Sequence, residues 1–359
     1  MVLVAGMELE QARVDKFAER MFDVLNSGGL ALAISIGHRT RLFDAMGPLP
    51  PSTSEAIADA AGLDERYVRE WLGVMVTGSI VEYFPIEDTY VLPPEHAAVL
   101  TRRACPDNLA IPMQFIPILG RVEDELLSAF ETGGGVGHES YPRFQSVMGE
   151  MSRQTVVSAL FDAVLPMVPG LTVRLQDGID VLDVGCGQGR ALIAMASEYP
   201  NSRFRGLDLS SEAIAGARQR VEDLRLHNIV FEPMDIATLD ESGGYDLITG
   251  FDIMADQALP DRVLQNIREA LRPDGVFLMQ DIATCSRLEG NRDHPIGPFL
   301  YSMSLMHCMT VSLAQGGVGL GACWGREQAV EMLGTAGFRQ VDVRELPNDF
   351  MNYFYIARP

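Results

Sequence analysis

Lysine is almost missing from this 359-residue chain: Lys16 is the only one, and the other 27 of the 28 basic residues are arginine. Against them stand 49 acidic residues, giving a formal net charge of −21. Divided at residue 170, the halves carry −11 and −10. Neither half is a basic module, which argues against non-specific nucleic-acid or anionic-membrane binding. Cysteine is scarce as well. Its five positions (105, 186, 285, 308 and 323) include no CxxC pair, which excludes a disulfide framework or zinc knuckle and fits a reducing cytosol. Long hydrophobic runs are absent: the stretch Leu300–Ala314 is broken by Ser302, Ser304, His307 and Thr310 and falls short of the ~20 residues that span a bilayer. The first ten residues have no cationic segment and do not read as a secretory signal. A cytoplasmic protein is expected, and no His, Cys, Asp or Glu set has metal-ligand spacing. What is present is a 47% apolar content and enough length for two domains.

Apolar residues recur at helical spacing from Leu9 to Leu25 until Asn26-Ser27-Gly28-Gly29, which predicts a stop, and a second helix is expected from Leu30 to Met46. Ser52-Thr53-Ser54-Glu55 then opens a short helix, Ala61-Gly62-Leu63 makes a turn, and Asp64 caps a helix through Val68, Trp71, Leu72 and Met75. Two short alternating strands follow, around Glu87-Asp88, and the pattern reads as a winged helix. The glycine-rich loop from Gly133, through His138 to Tyr141, interrupts further helices. Pro166, Pro169 and Gly170 mark an expected domain boundary, giving domains 1–165 and 172–359. Beyond it strands are expected at 179–184, 203–208, 229–232, 245–250 and 275–281, with helices at 189–198, 211–226, 260–271 and 325–336. Two last strands are expected at 340–346 and 352–357. Strict alternation of strand and helix implies a mostly parallel sheet covered on both faces.

One segment carries chemistry. In Val181-Leu-Asp183-Val-Gly185-Cys186-Gly187-Gln-Gly189-Arg190 an apolar strand ends in an acid, a loop with glycine at every second position follows, and a helix begins. This is the strand-end crevice where open α/β sheets bind nucleosides. The spacing DxGxGxG differs from the GxGxxG of dinucleotide sites, and only Arg190 offers a nearby cation for a phosphate. The pattern suits a nucleoside lacking phosphate, with the acid available to an ammonium group. Asp208 ends the next strand, where a carboxylate can accept both ribose hydroxyls. Asp235 follows the third, placed to accept from an adenine amino group while Met234 and Ile236 contact the ring.

With these motifs the sequence resembles the class I S-adenosylmethionine-dependent methyltransferases. It is closer still to the bacterial group, known from mycobacteria, that places a winged-helix domain before the catalytic one. Asp64-Glu-Arg-Tyr-Val-Arg-Glu-Trp71-Leu, Tyr141-Pro-Arg-Phe, Leu271-Arg-Pro-Asp-Gly275 and the stretch from Met306-His307-Cys308 also carry the resemblance, which covers nearly the whole chain. The resemblance implies a Rossmann-like α/β sheet of seven strands, the last antiparallel, preceded by a mostly helical winged-helix domain. It implies that Asp183, Gly185, Gly187 and Gly189 hold the methionine portion of S-adenosylmethionine, Asp208 the ribose and Asp235 the adenine. Cys186, Leu209 and Phe251 complete the expected cofactor set, with S-adenosylhomocysteine as product. The sequence departs from its relatives at Phe251-Asp-Ile-Met-Ala255-Asp256: they generally have histidine where Ala255 stands, and related O-methyltransferases use it as general base. An alanine cannot move a proton.

His307, Tyr141 and Asp256 are the expected catalytic substitutes. His307 lies in a methionine-rich stretch, where a buried structural histidine is an equal alternative; Met303, Met306 and Met309 read as core, and Trp324 as packing. The loop at 133–144 reads either as a lid or as a solvated loop. The winged helix has a DNA reader's shape, but residues 39–103 hold six arginines and ten acids. A dimerising cap over the substrate pocket is therefore expected in place of a nucleic-acid reader. The expected activity is in-line methyl transfer, within a closed interdomain pocket, to a small-molecule acceptor. The methylated atom (O, S, N or C) stays open. The alternative is a regulator that senses S-adenosylmethionine without turnover.

Overall fold

The computed structural model describes residues 9–347 and 349–359; most of the opening segment that argued against a secretory signal lies outside them. The chain divides into two compact units at Pro117/Ile118.

In the first unit the expected stop at Asn26–Gly29 does not occur: one helix runs from Gln11 to Thr40. Glycine inside a helix costs about 1 kcal/mol relative to alanine but does not compel a turn. Ser27 joins in, its hydroxyl donating to the Asp23 carbonyl at 2.7 Å. The helix stops at Arg41, which takes the left-handed conformation at φ 63°. The helix–turn–helix is capped as expected. Thr53 accepts from the Ala56 amide before Ser54–Ala61, and Asp64 accepts from the Arg66 amide before Glu65–Thr77. Strands β1 (Glu82–Phe84) and β2 (Thr89–Val91) pair antiparallel as the wing. Phe43, Ile57, Leu72 and Met75 form the core. Trp71 meets Phe43 edge-on at 5.3 Å and donates its indole N–H to the Ala33 carbonyl at 2.8 Å.

The second unit is built on seven strands: β3 (Asp180–Val184), β4 (Arg203–Asp208), β5 (Ile229–Pro233), β6 (Tyr245–Phe251), β7 (Leu271–Ile282), β8 (Gln340–Arg344) and β9 (Asn352–Arg358). Their order is β5-β4-β3-β6-β7-β9-β8. The first five strands in that order are parallel, while β9 runs antiparallel to both β7 and β8. This is the sheet the resemblance implies. Helices Arg190–Glu198, Ser211–Leu224, Pro260–Ala270 and Gly325–Thr335 lie within two residues of their expected ends. Among the described residues no single helix is long and apolar enough to cross a membrane.

The boundary expected near 165 falls earlier. Val156, Leu160, Val164 and Leu165 are buried in the core of the sheet unit together with Leu192, Phe204 and Leu247. Proline and glycine at 166–170 mark turns within one unit, not a linker between two. Losing four such side chains at about 2–5 kcal/mol each exceeds the usual margin of a domain. A fragment starting at residue 118 is therefore expected to unfold cooperatively on heating, whereas one starting at 166 should show no calorimetric transition.

Candidate active site

Where the sheet changes direction of strand order, β3 ends at Val184 between β4 and β6. Gly185 turns the chain at φ +64°, and a Cβ there would lie 2.4 Å from Ile253. Gly189 also has positive φ, +69°, but a Cβ on it would meet Phe231 at 2.3 Å. Its role is to let the Arg190–Glu198 helix approach the sheet, and it is absent from the cavity lining, unlike the other loop residues. Gly187 has no atom within 4 Å of its own Cβ position, which leaves bare backbone facing open space.

The cavity has a volume of about 970 Å³, and every lining residue belongs to the second unit. Of the expected cofactor residues, Asp183, Gly185, Cys186, Gly187, Asp208, Leu209, Met234, Asp235, Ile236 and Phe251 line it. Asp183 is 3% exposed, accepts from the Thr249 hydroxyl at 2.7 Å and is pushed up to about 7 by burial. Asp208 accepts from the Gly187 amide at 2.7 Å through one oxygen and from the Ser210 amide at 2.8 Å through the other. Each carboxylate oxygen has a further acceptor direction, so these bonds fix the side chain without exhausting it. Asp235 is exposed and caps Ile236–Thr238 through the Ala237 amide at 2.9 Å. These are the features a nucleoside with an ammonium tail needs, and the residues fit S-adenosylmethionine.

The three expected catalytic residues also line the cavity, on different terms. His307 is 2% exposed, with no hydrogen-bond partner for either ring nitrogen. Phe144 stacks on it at 3.6 Å and Tyr141 meets it edge-on at 4.8 Å. Burial, then the neighbouring His138, lowers its pKa to about 3, so it is a neutral imidazole. Tyr141 donates its hydroxyl to the Met306 carbonyl at 2.6 Å, and burial raises its pKa. It is thus a clamp rather than a free acid. Asp256 rises to about 7, chiefly by desolvation. The helix following it opens at Pro260 with Leu259 as its cap, so Asp256 is not a helix-start residue. Ala255 is buried and outside the lining. The glycine-rich loop is tied down: the Val136 amide donates to the Thr310 hydroxyl at 2.8 Å, and a Cβ on Gly135 would lie 1.9 Å from the Thr310 carbonyl oxygen.

Two family models match the chain. The first, an Rv2258c-like winged HTH domain, covers residues 28–102, and the second, a methyltransferase domain, covers 175–309. This is a winged-helix protein with a class I S-adenosylmethionine-dependent methyltransferase domain. A trans-aconitate 2-methyltransferase of Deinococcus radiodurans is 37% identical over 118 residues, 32% of this chain and 39% of that one. An uncharacterized protein of Rickettsia prowazekii is 32% identical over 99 residues, 27% of this chain and 40% of that one. The chain thus spans about two fifths of the length of these curated relatives. Among solved structures, the mitomycin 7-O-methyltransferase superposes with a TM-score of 0.71 at 18% identity, covering 98% of this chain and 100% of that one. The human N-acetylserotonin methyltransferase, in complex with S-adenosylmethionine, gives 0.69 at 18% identity, covering 98% and 99%. At such identity these two show the fold.

In this methyltransferase domain several cavity residues had escaped notice in the sequence. Asp252 follows β6 at φ +56°, lines the cavity and accepts from the Gln280 amide at 2.9 Å. Its signal was available: it is a fourth acid at a strand end, after Asp183, Asp208 and Asp235. Asp281, 1% exposed, accepts from the Ile282 amide at 2.8 Å and stands behind. The Tyr141-Pro-Arg-Phe motif includes Phe144 but does not announce its role, because only the fold brings it to His307.

Asp256 has a raised folded pKa, so its contribution to stability is greatest below the ordinary carboxylate range and is lost as pH rises through about 7. Asp256→Asn is expected to raise the thermal midpoint of the unliganded protein by at least about 2 °C at pH 8 and by less at pH 5. Differential scanning calorimetry at the two pH values checks this. Tyr141→Phe should cost about 1 kcal/mol by leaving the Met306 carbonyl unpaired, with S-adenosylmethionine affinity changed less than threefold in titration calorimetry.

Proposed function

We propose that this chain transfers the methyl group of S-adenosylmethionine to a small-molecule acceptor in the cavity of its second unit. The observation that carries the reading is the row of acids at successive strand ends around a loop that exposes backbone at Gly187. Asp183 faces the ammonium of the methionine portion, with Gly185, Cys186 and Gly187 along it. Asp208 accepts from the ribose hydroxyls, flanked by Leu209, and Asp235 accepts from the adenine amine between Met234 and Ile236. Phe251 closes the cofactor's side. Bound there, S-adenosylmethionine supplies a methyl group on a sulfonium leaving group. The residues then have positioning as their main task, holding a nucleophile in line and excluding water. The Phe144–His307–Tyr141 cluster walls the acceptor side, and His307 offers a neutral lone pair to an acceptor proton.

The regulator alternative is less favoured. On the Glu65–Thr77 helix, Arg66 pairs with Glu70 at 2.5 Å and Arg69 with Glu65 at 2.6 Å, so its arginines are already engaged within the protein. We assign the first unit to self-association instead. The long first helix leaves Phe17, Phe22 and Leu25 more than 60% exposed, an apolar face suited to a homodimer.

Asp208→Ala is expected to weaken S-adenosylmethionine binding at least 100-fold in titration calorimetry, because it removes the ribose acceptor and frees the Gly187 amide together. Unchanged affinity would overturn the cofactor assignment. Phe17→Glu with Leu25→Glu should halve the mass measured by light scattering after gel filtration, at unchanged cofactor affinity.

A further inference from the structure

At the acceptor end of the cavity the charges are of one sign. Asp252 and Asp256 both line it, and Asp281 stands directly behind. Burial, then the neighbouring carboxyls of Asp281 from β7, Asp349 from the segment before β9 and Asp256, raises the pKa of Asp252; burial, then Asp208 from β4, raises that of Asp256. The thiol of Cys308 is also near, its pKa raised by burial and then by these acids. Among the described residues none of Asp252, Asp256 and Asp281 forms an ion pair with arginine, lysine or histidine. Asp252 is held by the Gln280 amide at 2.9 Å and Asp281 by the Ile282 amide at 2.8 Å. Among the described residues, neither of the arginines that line the cavity, Arg143 and Arg190, forms an ion pair with Asp252 or Asp256.

A second observation in the same cavity points to a ligand. His307 lines this cavity, is 2% exposed, and leaves both ring nitrogens without a partner. Buried polar atoms are normally paired, and a neutral imidazole with two open nitrogens awaits a partner from the cavity.

Resting on the methyltransferase reading, we propose that this end of the cavity binds the protonated amine of the acceptor, and that the enzyme methylates nitrogen, with Asp256 taking the proton. An ammonium brings one positive charge and three N–H donors. The two lining carboxylates and a His307 lone pair can receive all three. A hydroxyl acceptor would bring a single donor and leave the carboxyls facing one another, while a carboxylate acceptor would add one more negative charge. The proton balance also closes. The ammonium gives one proton to the Asp256 carboxylate, and the freed nitrogen lone pair forms the N–C bond as the C–S bond breaks. The C–S electron pair goes to sulfur, leaving a neutral thioether and an N-methylammonium. Desolvation brings Asp256 to about 7, the range where a base works near neutral pH. A histidine in the place of Ala255 is not needed for this step.

The test uses the full-length protein loaded with S-adenosylhomocysteine, which has no sulfonium charge, and titrates 2-phenylethylamine, 2-phenylethanol and phenylacetate by calorimetry. The amine is expected to bind at least tenfold tighter than the alcohol, with no detectable binding of the acid. At pH 6.5 amine binding should release protons, read from the dependence of enthalpy on buffer. Asp256→Asn and, independently, Asp252→Asn should each weaken the amine at least tenfold while S-adenosylhomocysteine affinity and thermal midpoint show a folded, loaded protein. Equal or tighter binding of the alcohol or acid, no amine binding by the loaded protein, or amine affinity indifferent to both substitutions would overturn the proposal. So would a weakening confined to S-adenosylmethionine relative to S-adenosylhomocysteine, which would assign the carboxylates to the sulfonium. A protein that binds neither cofactor form takes away the methyltransferase reading itself.

Discussion

Strand β3 pairs in parallel with β4 on one side and β6 on the other, and the cavity follows from that double pairing. Asp183 stands opposite Gly206 on β4 and Thr249 on β6, and the threonine hydroxyl fixes its carboxyl. Because the neighbours leave β3 in opposite directions, their connections separate beyond its end and open a crevice. Gly185 enters that crevice on a turn that a side chain would block against Ile253. Asp208, one strand over, reaches back to the Gly187 amide. The loop is therefore held from both sides, by strand register and by a charge-assisted hydrogen bond, before any ligand arrives.

Polar groups left without partners divide the site into two regions. Around the loop, Asp183 and Asp208 are hydrogen-bonded within the protein and have defined orientations. Elsewhere in the lining, Asp252 and Asp256 have other acids as neighbours, and His307 has no hydrogen bond despite being buried. Burying groups that want partners opposes folding, so that arrangement persists because the surrounding elements over-determine it. The Phe144 ring on His307, the Tyr141 bond to Met306 and the Gly135 contact with Thr310 fix that wall. A preorganised but unsatisfied site is what ligand binding can complete without rearrangement.

Much of this was legible along the chain, and the losses have identifiable causes. The strands β3 to β7 and their helices alternate with short, well-signalled turns, so hydrophobic period and glycine placement located them closely. The first helix was split wrongly because Gly28-Gly29 weakens a helix locally without deciding its end; Arg41 does that. The domain boundary was set too late because proline and glycine report bends, while membership of a core depends on which distant side chains Val156 and Leu160 meet. Gly189 was counted among the ligand residues by family resemblance, and the ring that a side chain there would strike is that of Phe231, over forty positions away.

By itself the sequence determined that Asp183, Asp208 and Asp235 stand at strand ends, since the end of a strand is signalled by neighbours within a few residues. Tertiary structure alone decided what those groups face: it put Tyr141's hydroxyl on a carbonyl, brought Phe144 to His307, and surrounded Asp256 with other carboxyls. Local spacing sets where a side chain emerges, but its protonation and partners come from residues tens to hundreds of positions distant, gathered only when the sheet closes its core.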